Sequence, residues 1–97
     1  MRLPKFLQVY LSSYDISKLD PKSPVVAREI ITQVLNGGSV KAVRWVFDNY
    51  TLGQIRKCVE YPQKGTWFER SINYWQTILK IETPEAEYRK AIMNIYP

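Results

Sequence analysis

The chain has 97 residues, of which 45% are hydrophobic and 13% aromatic, and it contains one cysteine and no histidine. This length and hydrophobic content fit one folded domain and exclude a disordered chain, and a single cysteine excludes an internal disulfide. Fourteen basic and nine acidic residues give a net charge of +5, which favours nucleic acid or an acidic protein surface as the partner.

The N-terminal region lacks the features of a targeting segment. Gln8 interrupts its few apolar residues, and no small-residue cleavage site follows. No apolar run approaches the roughly 20 residues that span a bilayer. We therefore expect a cytoplasmic protein that makes no membrane contact. Residues 5–12 are compatible with either a short helix or a strand, and residues 13–24, rich in Ser, Asp and Pro, predict a connection with turns.

Amphipathic periodicity predicts five helices, at about 24–36, 39–49, 52–60, 67–81 and 84–95. Residues with a side-chain oxygen stand where each helix begins, and these predicted N-caps are Ser23, Ser39, Thr51, Thr66 and Thr83. Thr66 and Glu69 have the spacing of a capping box. We expect Gly37 and Gly38 to end the first helix by adopting the left-handed conformation.

The apolar positions of each helix predict which faces are buried. In the second helix these are Val40, Val43, Val46, Phe47 and Tyr50, and in the third Leu52, Ile55, Cys58 and Val59. The fourth has a wide apolar side formed by Trp67, Phe68, Ile72, Tyr74, Trp75, Ile78, Leu79 and Ile81, and the fifth has Tyr88, Ala91, Ile92 and Ile95. The pattern predicts an all-α fold: one compact domain of four to five short helices with a helix-turn-helix-like corner. We expect residues 1–23 to form an N-terminal segment, 24–81 the core helices and 82–97 a C-terminal helix.

The chain lacks the usual residues of a catalytic or metal site. Its carboxylates are scattered, and Cys58 has no histidine to activate it, so we interpret it as a buried structural thiol. Gly37-Gly38 is shorter than a loop that binds phosphate. We therefore expect a protein that is not an enzyme and that has no cofactor and no metal ion.

One binding hypothesis concerns the second and third helices, which are joined at helix-turn-helix spacing. The third helix would enter the major groove of DNA with Gln54, Arg56 and Lys57, and basic residues would contact phosphates. Those basic residues are Lys41, Arg44, Lys64 and Arg70. The alternative is that this corner is the ordinary connection of a compact helical domain.

A second binding hypothesis concerns Trp45, which projects away from the apolar stripe of its helix among Lys41, Arg44 and Asp48. A large aromatic residue beside cations is typical of a protein–protein hot spot. We expect Trp45, Lys41 and Arg44 to contact a protein partner. The alternative is that Trp45 packs on the N-terminal segment or on the last helix.

An aromatic and aliphatic pattern runs through residues 14–81. It comprises Ile30, Ile31, Val34, Leu35 and Gly38, then Arg44-Trp45-Val46-Phe47 and Tyr50, then Ile55, and finally Asn73-Tyr74-Trp75 and Leu79. In this pattern the chain resembles a family of small, uncharacterised prokaryotic helical proteins encoded beside nucleotidyltransferase toxins of the abortive-infection type. It departs from that family in lacking an acidic residue after the glycine and in having the extra tail 84–97.

The resemblance implies a presumed antitoxin, which would bind a cognate nucleotidyltransferase-type toxin and block its nucleotide or acceptor-RNA site. It implies no catalytic residue. Many antitoxins also repress their own operon, so a role in DNA binding is compatible with it.

Overall fold

Helices account for the regular structure of residues 3–93, the part of the chain that the computed structural model describes. Two 3-10 helices, at Lys5–Tyr10 and Ile16–Lys18, precede five α-helices: α1 (Pro24–Gly37), α2 (Val40–Asn49), α3 (Leu52–Glu60), α4 (Glu69–Leu79) and α5 (Glu85–Ala91). One hydrophobic cluster joins side chains from Leu3 to Ala91. The predicted all-α, single-domain bundle is confirmed.

Helix α1 is the central element, because it packs against α2, α3, α4 and the first 3-10 helix. Ile30, Ile31 and Val34 are completely or almost completely buried, and so is Thr32. Buried residues at consecutive positions show that α1 is covered on several sides, whereas a surface helix buries one stripe. Pro24 occupies the first turn, as the sequence predicted.

Gly38 ends α1 for a different reason from the one predicted. Its φ is −78°, and within residues 3–93 a positive φ occurs only at Gly65 and Lys80, so the predicted left-handed stop is wrong. A Cβ atom on Gly38 would lie 2.5 Å from the carbonyl oxygen of Val34. Glycine is needed there because the backbone of residue 38 closely approaches the preceding turn.

The caps of α2 and α3 follow from local sequence. The hydroxyl of Ser39 accepts a hydrogen bond from the backbone N–H of Ala42 at 3.2 Å, as predicted. Thr51 and Gln54 form a reciprocal capping box: Thr51 Oγ1 accepts from the N–H of Gln54 at 3.1 Å, and Gln54 Oε1 accepts from the N–H of Thr51 at 2.8 Å. These contacts satisfy two backbone donors at the start of α3.

The predicted capping box of Thr66 and Glu69 does not form. Helix α4 begins at Glu69, and Thr66 Oγ1 instead donates to the carbonyl of Lys64 at 3.3 Å. Trp67 leaves the helix to form a parallel bridge with Ile92. Its N–H donates to Ala91 at 2.8 Å, and its carbonyl accepts from the N–H of Met93 at 2.7 Å.

This bridge also shortens the last helix. Helix α5 ends at Ala91 because Ile92 pairs with Trp67. The predicted N-cap is wrong too, since Pro84 occupies that position and the hydroxyl of Thr83 donates to the carbonyl of Val59 at 2.8 Å. Residues 94 and 95 of the predicted helix lie outside the described residues.

The C-terminal end of α1 is joined to α4 by four hydrogen bonds, which we call the α1–α4 joint. The Asn36 side chain donates from Nδ2 to the carbonyl of Thr66 at 3.0 Å and accepts at Oδ1 from the N–H of Phe68 at 2.9 Å. Ser71 Oγ donates to the carbonyl of Asn36 at 2.7 Å, and Trp75 Nε1 donates to that of Leu35 at 2.8 Å. Carbonyls at the end of a helix lack partners within it, so α4 supplies them.

The N-terminal segment forms a 3-10 helix over Lys5–Tyr10, so the choice between a helix and a strand for residues 5–12 is resolved in favour of a helix. This segment packs on the α-helices. Leu3, Leu7 and Leu11 are buried, and the Gln8 side chain donates to the carbonyls of Leu11 and Tyr14 at 3.0 and 2.8 Å. The predicted turns of residues 13–24 are confirmed around the second 3-10 helix.

Several apolar residues predicted to face inward are exposed. Val40 and Leu52 are 72% and 55% exposed, and Phe47, Phe68, Tyr74 and Ile78 are also exposed. In α2 the fully buried residues are Ala42 and Val46, so the buried face is rotated from the predicted one. Helix α2 packs mainly against α1, and a short helix with one main neighbour buries fewer positions than its apolar residues would allow.

We expect Asn36→Ala to lower the free energy of unfolding by about 1 to 3 kcal/mol, since it leaves the partly buried carbonyl of Thr66 and backbone N–H of Phe68 without their partner. Chemical denaturation measures the loss. The matched control is Asn49→Ala, whose exposed side chain donates only to the carbonyl of Trp45; we expect a change within about 0.5 kcal/mol there. Equal effects of the two substitutions would contradict the role given to the joint.

Candidate protein-binding groove

The outer face of α2 forms one side of an open groove. Lys41, Arg44 and Trp45, the three residues predicted to contact a protein partner, line it together. The groove has a volume of about 440 Å³, and its other lining residues are Phe6, Val40 and Asp48. Spacings of three and four residues place side chains on the same face of a helix, which explains why α2 contributes most of the lining.

Trp45 is half-buried and has two roles. It packs against the hydrophobic core, and its ring lies edge-on to that of Tyr50, with 5.7 Å between centroids and 77° between planes. The rest of the indole lines the groove beside Phe6 of the N-terminal segment. The alternative that Trp45 packs in the core therefore holds for part of this side chain, and its contact with a protein partner stays a prediction. Alanine at this position would uncover core as well as change the groove.

Tyr50 packs against Trp45 and is itself held by a hydrogen bond. Its hydroxyl donates to the carbonyl of Pro21 at 3.0 Å. Burial, and to a lesser extent the negative charge of Asp20, raises the pKa of Tyr50 to about 12, so the phenol stays neutral. The aromatic pair is thus anchored to the connection before α1.

The groove carries two cations and one acid. Lys41 Nζ lies 4.6 Å from the centroid of the Phe6 ring, a cation–π contact that fixes the ammonium group at one end. Arg44 is exposed, and Asp48 follows it one turn later. Phe6 was not predicted to lie here, because only the packing of the N-terminal 3-10 helix brings it to α2.

The seven residues predicted to read or hold DNA are divided among several parts of the surface: Lys41 and Arg44 line the α2 groove, and the other five lie elsewhere. Gln54 and Lys57 line a cleft between α1 and α3, and Arg56 Nη1 donates to the carbonyl of Leu79 at the end of α4. The other two are Lys64, in the turn before Trp67, and Arg70, in the first turn of α4. Arg70 is thus at the opposite end of α4 from Leu79, about 13 Å along the axis.

The helix-turn-helix-like corner differs from a DNA-reading unit in its packing. Helices α2 and α3 each pack mainly on α1, and α3 packs also on α4. In a helix-turn-helix protein the second helix is presented by the first so that it can enter the major groove. Here α3 is covered on two sides, and its short exposed face carries Gln54, whose side chain is engaged in its own cap.

Cys58 is buried, as predicted. Burial raises the pKa of its thiol to about 11, although the positive charge of Arg28 acts in the opposite direction. A thiol with this pKa is protonated at neutral pH and is a poor nucleophile. Among residues 3–93, no three side chains of His, Cys, Asp or Glu lie together where they would hold a metal ion.

Comparisons with family models, with curated proteins and with solved structures found no match to this chain. No helix within residues 3–93 combines the length and apolar character required to cross a bilayer.

The raised pKa of Cys58 predicts a pH dependence of stability. The thiol's ordinary pKa is 9.0, so above that pH the unfolded chain loses the proton while the folded protein retains it up to about pH 11. The stabilisation is complete below pH 9 and is lost as the pH rises through 11. Between these values the free energy of unfolding should fall by roughly 1 to 2 kcal/mol more in the wild type than in Cys58→Ala. Parallel pH profiles of the two proteins would contradict this prediction.

Proposed function

We propose that this protein is a non-catalytic, antitoxin-like protein that neutralises a cognate nucleotidyltransferase-type toxin by direct binding through the α2 groove. The observation that carries the proposal is that Lys41, Arg44 and Trp45 lie side by side in one open groove. Aromatic residues and arginine are enriched in protein interfaces, and the rims of these interfaces are polar and accessible to solvent.

The groove is pre-organised for binding. Trp45 is held against Tyr50, Lys41 lies over Phe6, and Ala42 and Val46 fix the opposite face of α2 in the core. A surface whose side chains are already ordered loses little conformational entropy when a partner binds. The groove therefore suits a folded protein partner better than a disordered one, because a disordered partner would itself lose conformational entropy on binding.

Charge indicates an acidic partner. The groove has two cations against Asp48, and the whole chain has a net charge of +5. A nucleotidyltransferase holds its metal ions with carboxylates, so its active-site pocket is acidic. A basic surface with a central tryptophan would complement such a pocket and obstruct access to it. The resemblance to presumed antitoxins supports this same kind of partner.

DNA binding remains the alternative, either by itself or as autoregulation of an operon. It has less support, because the predicted DNA contacts are divided between the α1–α3 cleft, the end of α4 and the turn before Trp67. Lys64, in the turn before Trp67, and Arg70, in the first turn of α4, are both exposed. They provide a control with the same charge change as Lys41 and Arg44.

The test compares two double variants with the wild type, each tagged and isolated from its own host with and without nuclease treatment. We expect Lys41→Glu with Arg44→Glu to reduce retention of the protein partner by about tenfold or more, because two attractive charges become repulsive. Lys64→Glu with Arg70→Glu should retain it. Mass spectrometry identifies the partner, and co-expression tests whether the wild type alone rescues growth from its toxicity.

Two outcomes would contradict the proposal as a whole. One is retention of DNA that is lost on nuclease treatment, with no protein partner; this would favour the DNA-binding alternative. The other is a protein partner that the Lys64 and Arg70 variant loses and the Lys41 and Arg44 variant keeps. A retained partner that is not a nucleotidyltransferase would leave the groove assignment intact and overturn the antitoxin assignment.

A further inference from the structure

A second concave site, distinct from the α2 groove, lies between α1 and α3. This α1–α3 cleft has a volume of about 310 Å³. Four residues of α1 (Pro24, Ala27, Arg28 and Ile31) face four at or just beyond α3 (Gln54, Lys57, Cys58 and Tyr61). Each set has the spacing i, i+3, i+4 and i+7, so each is one stripe of a helix facing the other.

The cleft exists because small side chains stand where the two helices meet. Ala27 and Cys58 are both buried, and with Ile31 they form an apolar floor. Larger residues at these two positions would fill the space between the helices. The volume is at the lower end of the range for small-molecule sites, which are apolar with a few polar groups that orient the ligand.

The charged residues of the cleft are all cationic. Arg28 and Lys57 stand on its two sides, and no acidic residue lines it. Arg28 is held across the cleft because Nη2 donates to the carbonyl of Tyr61 at 2.9 Å. A guanidinium group has five N–H donors, so further donors are available for an anion. Gln54, at one end, is fixed by its two hydrogen bonds from Thr51.

We propose that the α1–α3 cleft binds a small amphipathic carboxylate, with its apolar part on Ala27, Ile31 and Cys58 and its carboxylate between Arg28 and Lys57. The apolar floor recognises the hydrocarbon, and the paired cations select the anion over a neutral molecule of the same length. The cleft is formed by α1 and α3 alone, so this site does not depend on the function proposed for the α2 groove.

The experiment is a titration of the isotope-labelled protein with octanoate below its micelle concentration, followed by amide chemical shifts. We expect saturable shifts in the segments around Ala27 to Ile31 and Gln54 to Cys58. Octan-1-ol, the neutral control, should bind at least about threefold more weakly. Lys57→Gln, an exposed substitution, should weaken octanoate by a similar factor, whereas Lys90→Gln on α5 should not.

Three results would overturn the proposal. The absence of saturable shifts up to the solubility limit would show that the cleft takes no such ligand. Equal affinity for octanoate and octan-1-ol would show that Arg28 and Lys57 do not select the carboxylate over a neutral head group. Shifts confined to other helices, or an equal loss of affinity in Lys57→Gln and Lys90→Gln, would place the binding elsewhere.

Discussion

The buried carboxyl-terminal end of α1 imposes the constraint on which the rest of the fold depends. Its last carbonyl groups cannot be satisfied within the helix, and two of the residues that carry them, Leu35 and Asn36, are buried. Ser71 and Trp75, one turn apart on α4, supply the donors. In return, Asn36 Oδ1 supplies an acceptor for the backbone N–H of Phe68, which has no acceptor within α4. Satisfying both helix ends at one place fixes α4 against α1.

The positions of the other elements follow from this joint. Trp67 lies outside α4 and pairs with Ile92, which holds residues 91–93 against the start of α4. The remaining sides of α1 pack against α2, against α3 and against the N-terminal 3-10 helix. The two concave surfaces are consequences of that arrangement: the groove lies on the outer side of α2, and the cleft lies where α3 meets α1 at small residues.

Local features of the sequence predicted local features of the structure. The bounds of α3 and the cap at Ser39 depend on neighbouring residues alone, and they were correct. Thr66 and Glu69 have an equally good local signal, yet distant partners overrode it, since Asn36 caps α4 from another helix and Trp67 pairs with Ile92. Helical spacing was sufficient to place Lys41, Arg44 and Trp45 together. The contribution of Phe6 depends on tertiary packing, and no local pattern reports it.

The measurement that tests the central claim most directly is backbone hydrogen exchange, read by mass spectrometry on the protein alone and bound to its nuclease-resistant partner. If the α2 groove is the contact surface, peptides covering residues 40–48 and 5–7 should exchange more slowly in the complex, and residues 52–60 should be unchanged. Slower exchange at residues 52–60 with none at 40–48 would contradict the account, because it would place the partner on α3.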